Sequence, residues 1–282
     1  MTPHRLGLLL VLLSTLAWST SGLFSRALTL DLMTVLTWRS VFAGLGFLTV
    51  LVVLHGWAGL RGFARMGRAG WLYAAVSATG IFTFISSLEL TSIAHVAIIY
   101  AIVPFITALL AWAVLGTRPS TSALAASLVA FAGAVVMVGL GEEGSLLGDA
   151  LALGTAIVMG LLTVIARRNP EMPALPAGAA SLALALLICL PLAPQSLPPP
   201  DQFWLLVGFG LINSTLGFTL FILGSKRISP IETALIGALE APITPFWVWL
   251  VFAETPSPTT LLGGAVVFAA VFWHIARQQG RA

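Results

Sequence analysis

Ten long apolar stretches, separated by short polar segments, run through almost the whole chain. A helix needs about 20 mostly apolar residues to cross roughly 30 Å of hydrocarbon, and each stretch approaches or reaches that length. They cover residues 5–25, 33–54, 69–88, 93–113, 122–139, 147–167, 175–193, 202–223, 231–251 and 259–277. The stretches lack the alternating pattern of barrel strands. The sequence therefore predicts an all-α integral membrane protein with ten transmembrane helices.

The composition excludes the main classes of soluble protein. Of the 282 residues, 13 are basic and 10 acidic, so that 8% are charged, and the mean hydropathy is +1.03. Soluble domains are about 25% charged on average, and a globule of this length could not cover its surface with so few charges. A soluble enzyme, a nucleic-acid-binding domain and a disordered chain are therefore excluded. The single cysteine, Cys189, says little about the redox compartment.

Lysine and arginine in the short loops predict the orientation, because these residues are retained on the cytoplasmic side. With the N-terminus in the cytoplasm, 11 of the 13 basic residues fall on the cytoplasmic side. These are Arg5, Arg61, Arg65, Arg68, Arg118, Arg167, Arg168, Lys226, Arg227, Arg277 and Arg281. Most of the acidic residues fall on the other side. Both termini are therefore predicted to be cytoplasmic.

The two halves of the chain have the pattern of inverted copies. Each half holds five stretches, and because five is odd, a second copy must lie inverted in the membrane. The loops exchange their charge accordingly: the outer turn at Glu89 aligns with the inner turn at Arg227, and the inner turn at Arg118 with the outer turn near Glu254. The predicted repeats are residues 1–143 and 144–282.

Short motifs in both halves resemble the EamA-type five-helix repeat of the drug/metabolite transporter superfamily. They are Ala17-Trp18-Ser19, Arg39, Thr91 to Ala94 leading into Pro104, Gly217 to Phe221, Lys226 to Ser229, Glu240-Ala241-Pro242 and Glu254. The chain is similar to bacterial YddG-type exporters of aromatic and other amino acids. The resemblance implies a secondary transporter of the inner (plasma) membrane that exports amino acids by alternating access between the repeats. It implies no cofactor, no nucleic-acid partner, and a monomer or homodimer in the lipid bilayer.

Two prolines are candidate hinges for such a movement. Pro104 and Pro242 occupy equivalent positions inside the fourth and ninth stretches. A proline inside a helix removes a backbone hydrogen bond and kinks the helix. The symmetry of the two positions favours a hinge, although prolines are also common in membrane helices where they only shape the packing.

Two charged residues lie inside apolar stretches, where an ionisable group is costly and is a functional candidate by default. Glu240 could bind a substrate ammonium group, carry a proton, or satisfy backbone groups that the kink at Pro242 leaves free. For Arg39 we expect a structural pairing with Asp31 or Glu89 rather than the binding of a carboxylate. Two further carboxylates, those of Glu232 and Asp149, lie at the ends of stretches and are expected to be solvated. Neither is expected to act in transport.

The remaining candidates are residues that could line a cavity between the repeats near the midplane. They are Trp18, Phe82, Tyr100, Asn213, Ser214, Glu240, Thr244 and Trp247. Lipid-facing packing is an alternative for each one. The fifth and tenth stretches instead carry small residues, among them Ala130 and Gly263, and are expected to form a packing or dimer scaffold.

Transport is favoured over the other membrane functions. The sequence has no Walker-type phosphate loop, so ATP would not drive transport directly. It has no G-x-S-x-G, no H-E-x-x-H and no intramembrane Asp pair, so neither a catalytic residue nor a metal site is predicted. The polar residues in the stretches are too few for a channel pore. Within transport, nucleotide sugars, drugs or other metabolites remain alternative substrates.

Overall fold

The chain folds into helices that follow the ten apolar stretches. The fold is described from a computed structural model, in which residues 2–91, 93–138, 145–193, 197–253 and 255–279 are described. Six helices are continuous: α2 (Leu32–His55), α3 (Gly67–Leu90), α5 (Thr121–Val138), α6 (Leu146–Arg168), α7 (Ala174–Cys189) and α10 (Pro258–Gln279). A short 3-10 helix, Trp57–Gly62, connects α2 to α3.

The other four helices are interrupted. Helix α1 consists of α1a (Pro3–Ser19) and α1b (Ser21–Ala27), and α4 consists of α4a (Ile93–Tyr100) and α4b (Val103–Leu115). Helix α8 consists of α8a (Pro200–Gly208), a π-helix (Phe209–Leu216) and α8b (Gly217–Ser225). Helix α9 consists of α9a (Pro230–Gly237) and α9b (Glu240–Phe252).

Many helices of this bundle are long and apolar enough to span a membrane. Within the described residues, seven segments are long and apolar enough to cross a bilayer: Pro3–Ala27, Leu32–His55, Val96–Leu115, Leu146–Arg168, Pro200–Ser225, Pro230–Phe252 and Pro258–Arg277. Two more apolar helices, Thr121–Met137 and Ala174–Cys189, are shorter. An all-helical membrane protein is thus confirmed, whereas the count of ten crossings stays a prediction.

Local chemistry explains why α1 is interrupted at Thr20. The Thr20 hydroxyl donates to the Ala17 carbonyl at 2.6 Å, and the Ser19 hydroxyl to the Leu16 carbonyl at 2.7 Å. Such bonds from Ser and Thr to a preceding turn compete with the helical hydrogen bonds and bend the helix. The run of hydroxyl residues at 19–21 therefore ends α1a halfway along the helix.

The interruptions of α4 and α9 occupy equivalent positions. Pro104 lies in the first turn of α4b and Pro242 in that of α9b, so both prolines follow a break instead of lying within a continuous helix. In the first turn of a helix the missing N–H of proline has no intrahelical partner to lose. The same end geometry recurs further on, since α4 ends at left-handed Gly116 and α9 at left-handed Ala253.

Helices α5 and α10 pack directly against each other through their small residues. A Cβ added to Gly133 would lie 2.8 Å from the carbonyl oxygen of Gly263, so the two backbones are in contact. Ala126, Ala130 and Ala134 are all buried. These two helices therefore serve as a scaffold within one chain, and a dimer contact through them stays a prediction.

Several basic loops meet at one end of the bundle, which we call the basic end. There Arg167 donates to the carbonyl of Lys226 at 2.6 Å, and Lys226 donates to the carbonyls of Pro170 and Met172. Burial lowers the pKa of the Lys226 ammonium, although Glu171 opposes this shift. The cytoplasmic location of this end stays a prediction.

The sequence predicts that the carboxylates of Glu232 and Asp149 are both solvated, but in the structure Glu232 is buried. Glu232 is 5% exposed and its Oε1 lies 3.0 Å from Nε2 of His4 at the basic end. At the opposite end Asp149, which is half-buried, accepts a hydrogen bond from the Thr91 hydroxyl at 2.7 Å. The expectation for Glu232 was wrong, because the N-terminus of the chain folds over it.

Candidate functional site

The centre of the bundle is built from the interruptions of α1, α4 and α9. Glu240 is the first residue of α9b, and its carboxylate accepts a hydrogen bond from the Ser21 hydroxyl of α1b. It also interacts electrostatically with the Tyr100 hydroxyl at the end of α4a. The N-terminus of a helix stabilises a nearby negative charge. The break in α9 therefore presents a carboxylate of the second half of the chain to two groups of the first half.

Side chains of α9b extend this contact along α1. The Trp247 Nε1–H donates to the Ser19 hydroxyl oxygen at 2.8 Å. Thr244 donates to the carbonyl of Glu240 at 2.9 Å, and its methyl group fills the space beside Gly22. A side chain at Gly22 would collide with Thr244, so this glycine permits α1b and α9b to approach closely. We call Ser19, Ser21, Tyr100, Glu240, Thr244 and Trp247 the central cluster.

Asn213, in the π-helix of α8, reaches the same interruption of α1. Its side-chain amide donates to the Trp18 carbonyl at 3.0 Å and to that of Ala17 at 3.4 Å. The interruption exposes carbonyl groups that need a partner inside the membrane. Asn213 thus supports the interrupted backbone of α1.

Trp18 packs into α8 from the α1 side. Its ring centroid lies 4.8 Å from that of Phe221 and 5.2 Å from that of Phe218. A Cβ added to Gly217 would lie 2.6 Å from the indole nitrogen of Trp18, so only a glycine fits beneath the ring. Trp18 is 9% exposed and serves mainly as part of the core.

The structure does not connect every predicted cavity residue to this cluster. Ser214 is fully buried, and its hydroxyl has no hydrogen-bond partner within the described part of the chain. Phe82 is half-buried and packs against the core formed by α2 and α7. The predicted cavity residues, in turn, did not include Ser19 and Ser21. Their signal in the sequence was the run of hydroxyl residues at 19–21, and nothing in the sequence connected that run to α9. Among the described residues no group of three or more His, Cys, Asp and Glu could hold a metal ion.

Arg39 does not pair with Asp31 in the structure. The Asp31 carboxylate accepts a hydrogen bond from the backbone N–H of Thr34 at 3.0 Å and so caps α2. Burial would raise the pKa of Asp31, but the hydrogen bonds from Thr34 outweigh it and lower the pKa. The guanidinium carbon of Arg39 instead lies 5.0 Å from the ring centroid of Phe209. The side chain of Glu89, the other expected partner, lies outside the described residues.

The two halves of the chain pack closely on the basic side of the breaks. Ala108 of α4b is buried together with Ile231 and Leu235 of α9a, and α1 also packs against α9a. On the other side of the breaks, α4a packs against α3, α5 and α6, while α9b packs against α1 and α10. On the basic side of the breaks α4b and α9a therefore pack on each other, whereas beyond the breaks α4a and α9b pack on different helices.

A cleft of about 210 Å³ opens at the basic end. Arg118 and Ser120, between α4 and α5, line one side, and Ser229 and Glu232 line the other. This cleft is separate from the central cluster, where the sequence predicted a cavity.

The family assignment follows from a comparison with known protein families. The model of the EamA-like transporter family matches residues 5–139 and, a second time, residues 146–275. The chain belongs to the EamA-like transporter family. The EamA-like transporters are membrane transporters of small metabolites and generally not enzymes, so this protein is a multi-pass membrane transporter. The boundary predicted at residue 144 falls between the two matched segments.

Two further comparisons bear on this EamA-like transporter. A solved crystal structure with 20% sequence identity superimposes with a TM-score of 0.80, and the match covers 94% of this chain and 95% of that one. At this identity the likeness shows that the two proteins share a fold. No curated protein matches the sequence.

Proposed function

We propose that this EamA-like transporter exports amino acids, including aromatic ones, from the cytoplasm across a bacterial inner membrane. The observation that carries the proposal is the carboxylate of Glu240, which lies at the break in α9 and interacts with Ser21 and Tyr100 of the other repeat. A carboxylate in this position complements the ammonium group that all amino acids share. An intramembrane carboxylate is costly and points to function.

The surroundings of Glu240 favour a substrate with an apolar or aromatic body. Tyr100 interacts with the carboxylate through its hydroxyl group, and its ring centroid lies 6.2 Å from that of Phe84. Trp247 lies two turns beyond Glu240 on α9b. Small-molecule sites combine such apolar walls with a few polar groups that fix orientation. A nucleotide sugar would instead bring phosphates towards the carboxylate, and like charges repel.

Alternating access supplies the transport cycle in this proposal. Helix α4b packs against α9a on the basic side of the breaks, while α4a and α9b pack against different helices on the other side. In the opposite state the second pair would close and the first would separate. Pro104 and Pro242 lie beside the breaks about which each half-helix would turn. The proposed hinges therefore coincide with the start of the moving segments.

The test is transport by the purified protein in liposomes. We expect saturable counterflow of amino acids, and we expect E240Q to slow it at least about tenfold because the amide no longer attracts an ammonium group. E171Q, which removes a carboxylate from the loop between α6 and α7, is the matched control and should transport normally.

Three results would contradict the proposal. Normal transport by E240Q would leave Glu240 with a structural role. Flux that rises linearly with concentration, without saturation, would indicate a channel. Counterflow of nucleotide sugars or drugs in place of amino acids would assign the transporter to another substrate class.

A further inference from the structure

Arg39 is a half-buried cation whose hydrogen-bonding groups are not used by the described part of the chain. Its Nε is fully buried without an acceptor, and no hydrogen bond or ion pair joins its guanidinium to a described residue. Its neighbours are the ring of Phe209 and the thiol of Cys189 on α7. A guanidinium has five N–H donors and no acceptor. The site is therefore short of an anion.

The packing around Arg39 supplies aromatic contacts but no hydrogen-bond acceptor among the described residues. Phe209 stacks on Phe24 of α1b with a centroid distance of 5.1 Å, so the guanidinium lies at the end of a column of two rings. A cation–π contact stabilises a cation but leaves its N–H donors free. A buried cation without a hydrogen-bonded partner is strongly unfavourable.

The position of Arg39 relates it to the central cluster. It lies two turns from the start of α2, in the half of the bundle away from the basic end. Phe209 is the first residue of the π-helix that also carries Asn213, one turn further on, whose amide holds the interrupted backbone of α1. π-Helical turns occur frequently at functional sites. Arg39 thus contacts the same π-helix of α8 that supports the interruption of α1.

We propose that Arg39 is an anion subsite that takes the carboxylate of the transported solute. The proposal rests on the proposed function and adds a second recognition group to the ammonium site at Glu240. A guanidinium offers two parallel N–H groups that match a carboxylate, whereas an ammonium acts as a point charge. The ring of Phe209 forms an apolar surface beside the guanidinium. A lipid phosphate carries the same chemistry, and the experiment separates the two sources.

The experiment compares phenylalanine with phenethylamine, which has the same body without the carboxylate. Both are measured by counterflow in liposomes of zwitterionic lipid. For R39Q we expect the half-saturating concentration of phenylalanine to rise at least about tenfold while that of phenethylamine changes less than about twofold. R39K, which keeps the charge but lacks the fork, should fall between. R68Q removes an exposed arginine at the basic end and should change neither value.

The outcomes separate this subsite from its alternatives. The subsite is overturned if R39Q and R39K raise the half-saturating concentrations of both compounds equally, or change neither. It is also overturned if E89Q reproduces the R39Q pattern, because Glu89 would then be the partner of Arg39. An effect of R39Q that appears only with anionic lipid would assign the site to a lipid headgroup. If R39Q does not fold, the comparison of R39K with the native protein decides.

Failure of the proposed function is recognised separately. E240Q should weaken both phenylalanine and phenethylamine, because both carry the ammonium group. If the native protein transports neither compound, the proposed function fails, and the subsite is judged by binding. Phenylacetate, which carries only the carboxylate, should then raise the melting temperature of the native protein and not that of R39Q. Equal shifts in the two proteins would overturn the subsite.

Discussion

Substitutions at Glu232 can measure separately the interactions that this residue makes at the basic end of the bundle. Its Oε2 accepts a hydrogen bond from the backbone N–H of Ser229 at 2.8 Å, and the Ser229 hydroxyl accepts from the N–H of Glu232 at 3.3 Å. This is a capping box at the start of α9a. Its Oε1 lies 3.0 Å from His4, and His274 of α10 interacts with it electrostatically. One side chain therefore joins α1, α9 and α10.

The structure determines the expected sizes of the effects. E232A removes one half of the capping box, worth about 1 kcal/mol. It also removes the contact with His4, which we reduce to about 0.5–1 kcal/mol because the His4 side chain is 42% exposed. E232Q keeps an oxygen for Ser229 and an NH₂ for His4, and should lose only about 0.5 kcal/mol. The expected loss in E232A is thus about 1.5–2 kcal/mol.

The assay is thermal unfolding in detergent for the native protein, H4A, E232A, E232Q and the double variant H4A/E232A. The loss in E232A corresponds to a fall of about 5 °C in melting temperature. The double-mutant cycle should give a coupling of about 0.5–1 kcal/mol between the two residues. H55A, at the exposed end of α2, is the control and should be neutral. Strict additivity of H4A and E232A, or an E232A melting temperature equal to the native value, would refute the reasoning.

Three further predictions concern the scaffold and the hinges. G263A should lose about 1–3 kcal/mol of stability, because the new Cβ meets the backbone of α5, whereas G44A, with nothing within 4 Å, should be neutral or gain about 0.5–1 kcal/mol. A253G should raise the melting temperature, since a φ of 55° costs an L-residue about 1 kcal/mol; a lower value would contradict this. The double variant P104A/P242A should fold normally and transport more slowly in liposomes, and unchanged rates would remove the hinge hypothesis.

Much of the fold could be predicted because it depends on local properties of the chain. A run of apolar residues must satisfy its backbone hydrogen bonds internally within a bilayer, so its length alone predicts a helix. The equivalence of Pro104 and Pro242 was visible in the aligned halves, and the two prolines follow equivalent breaks in the structure.

The candidate site could be predicted only in part. Glu240, Tyr100, Thr244 and Trp247 were chosen for their depth in the apolar stretches, and they do lie in one cluster. The roles of other residues depend on partners that are distant in the chain. Asn213 supports the backbone of α1 through its bond to Trp18, which lies 195 residues earlier in the chain.

The sequence by itself determined the class of protein and its helices, since both follow from the transfer of apolar or charged groups between water and lipid. That free energy acts on each segment separately. The inverted relation of the halves stays a prediction. The tertiary structure alone decided which carboxylates are buried, where α1 and α8 depart from regular α-helix against each other, and that Arg39 faces Phe209 instead of Asp31. Those outcomes require contacts between helices, and a pattern of apolar stretches does not specify which faces will meet.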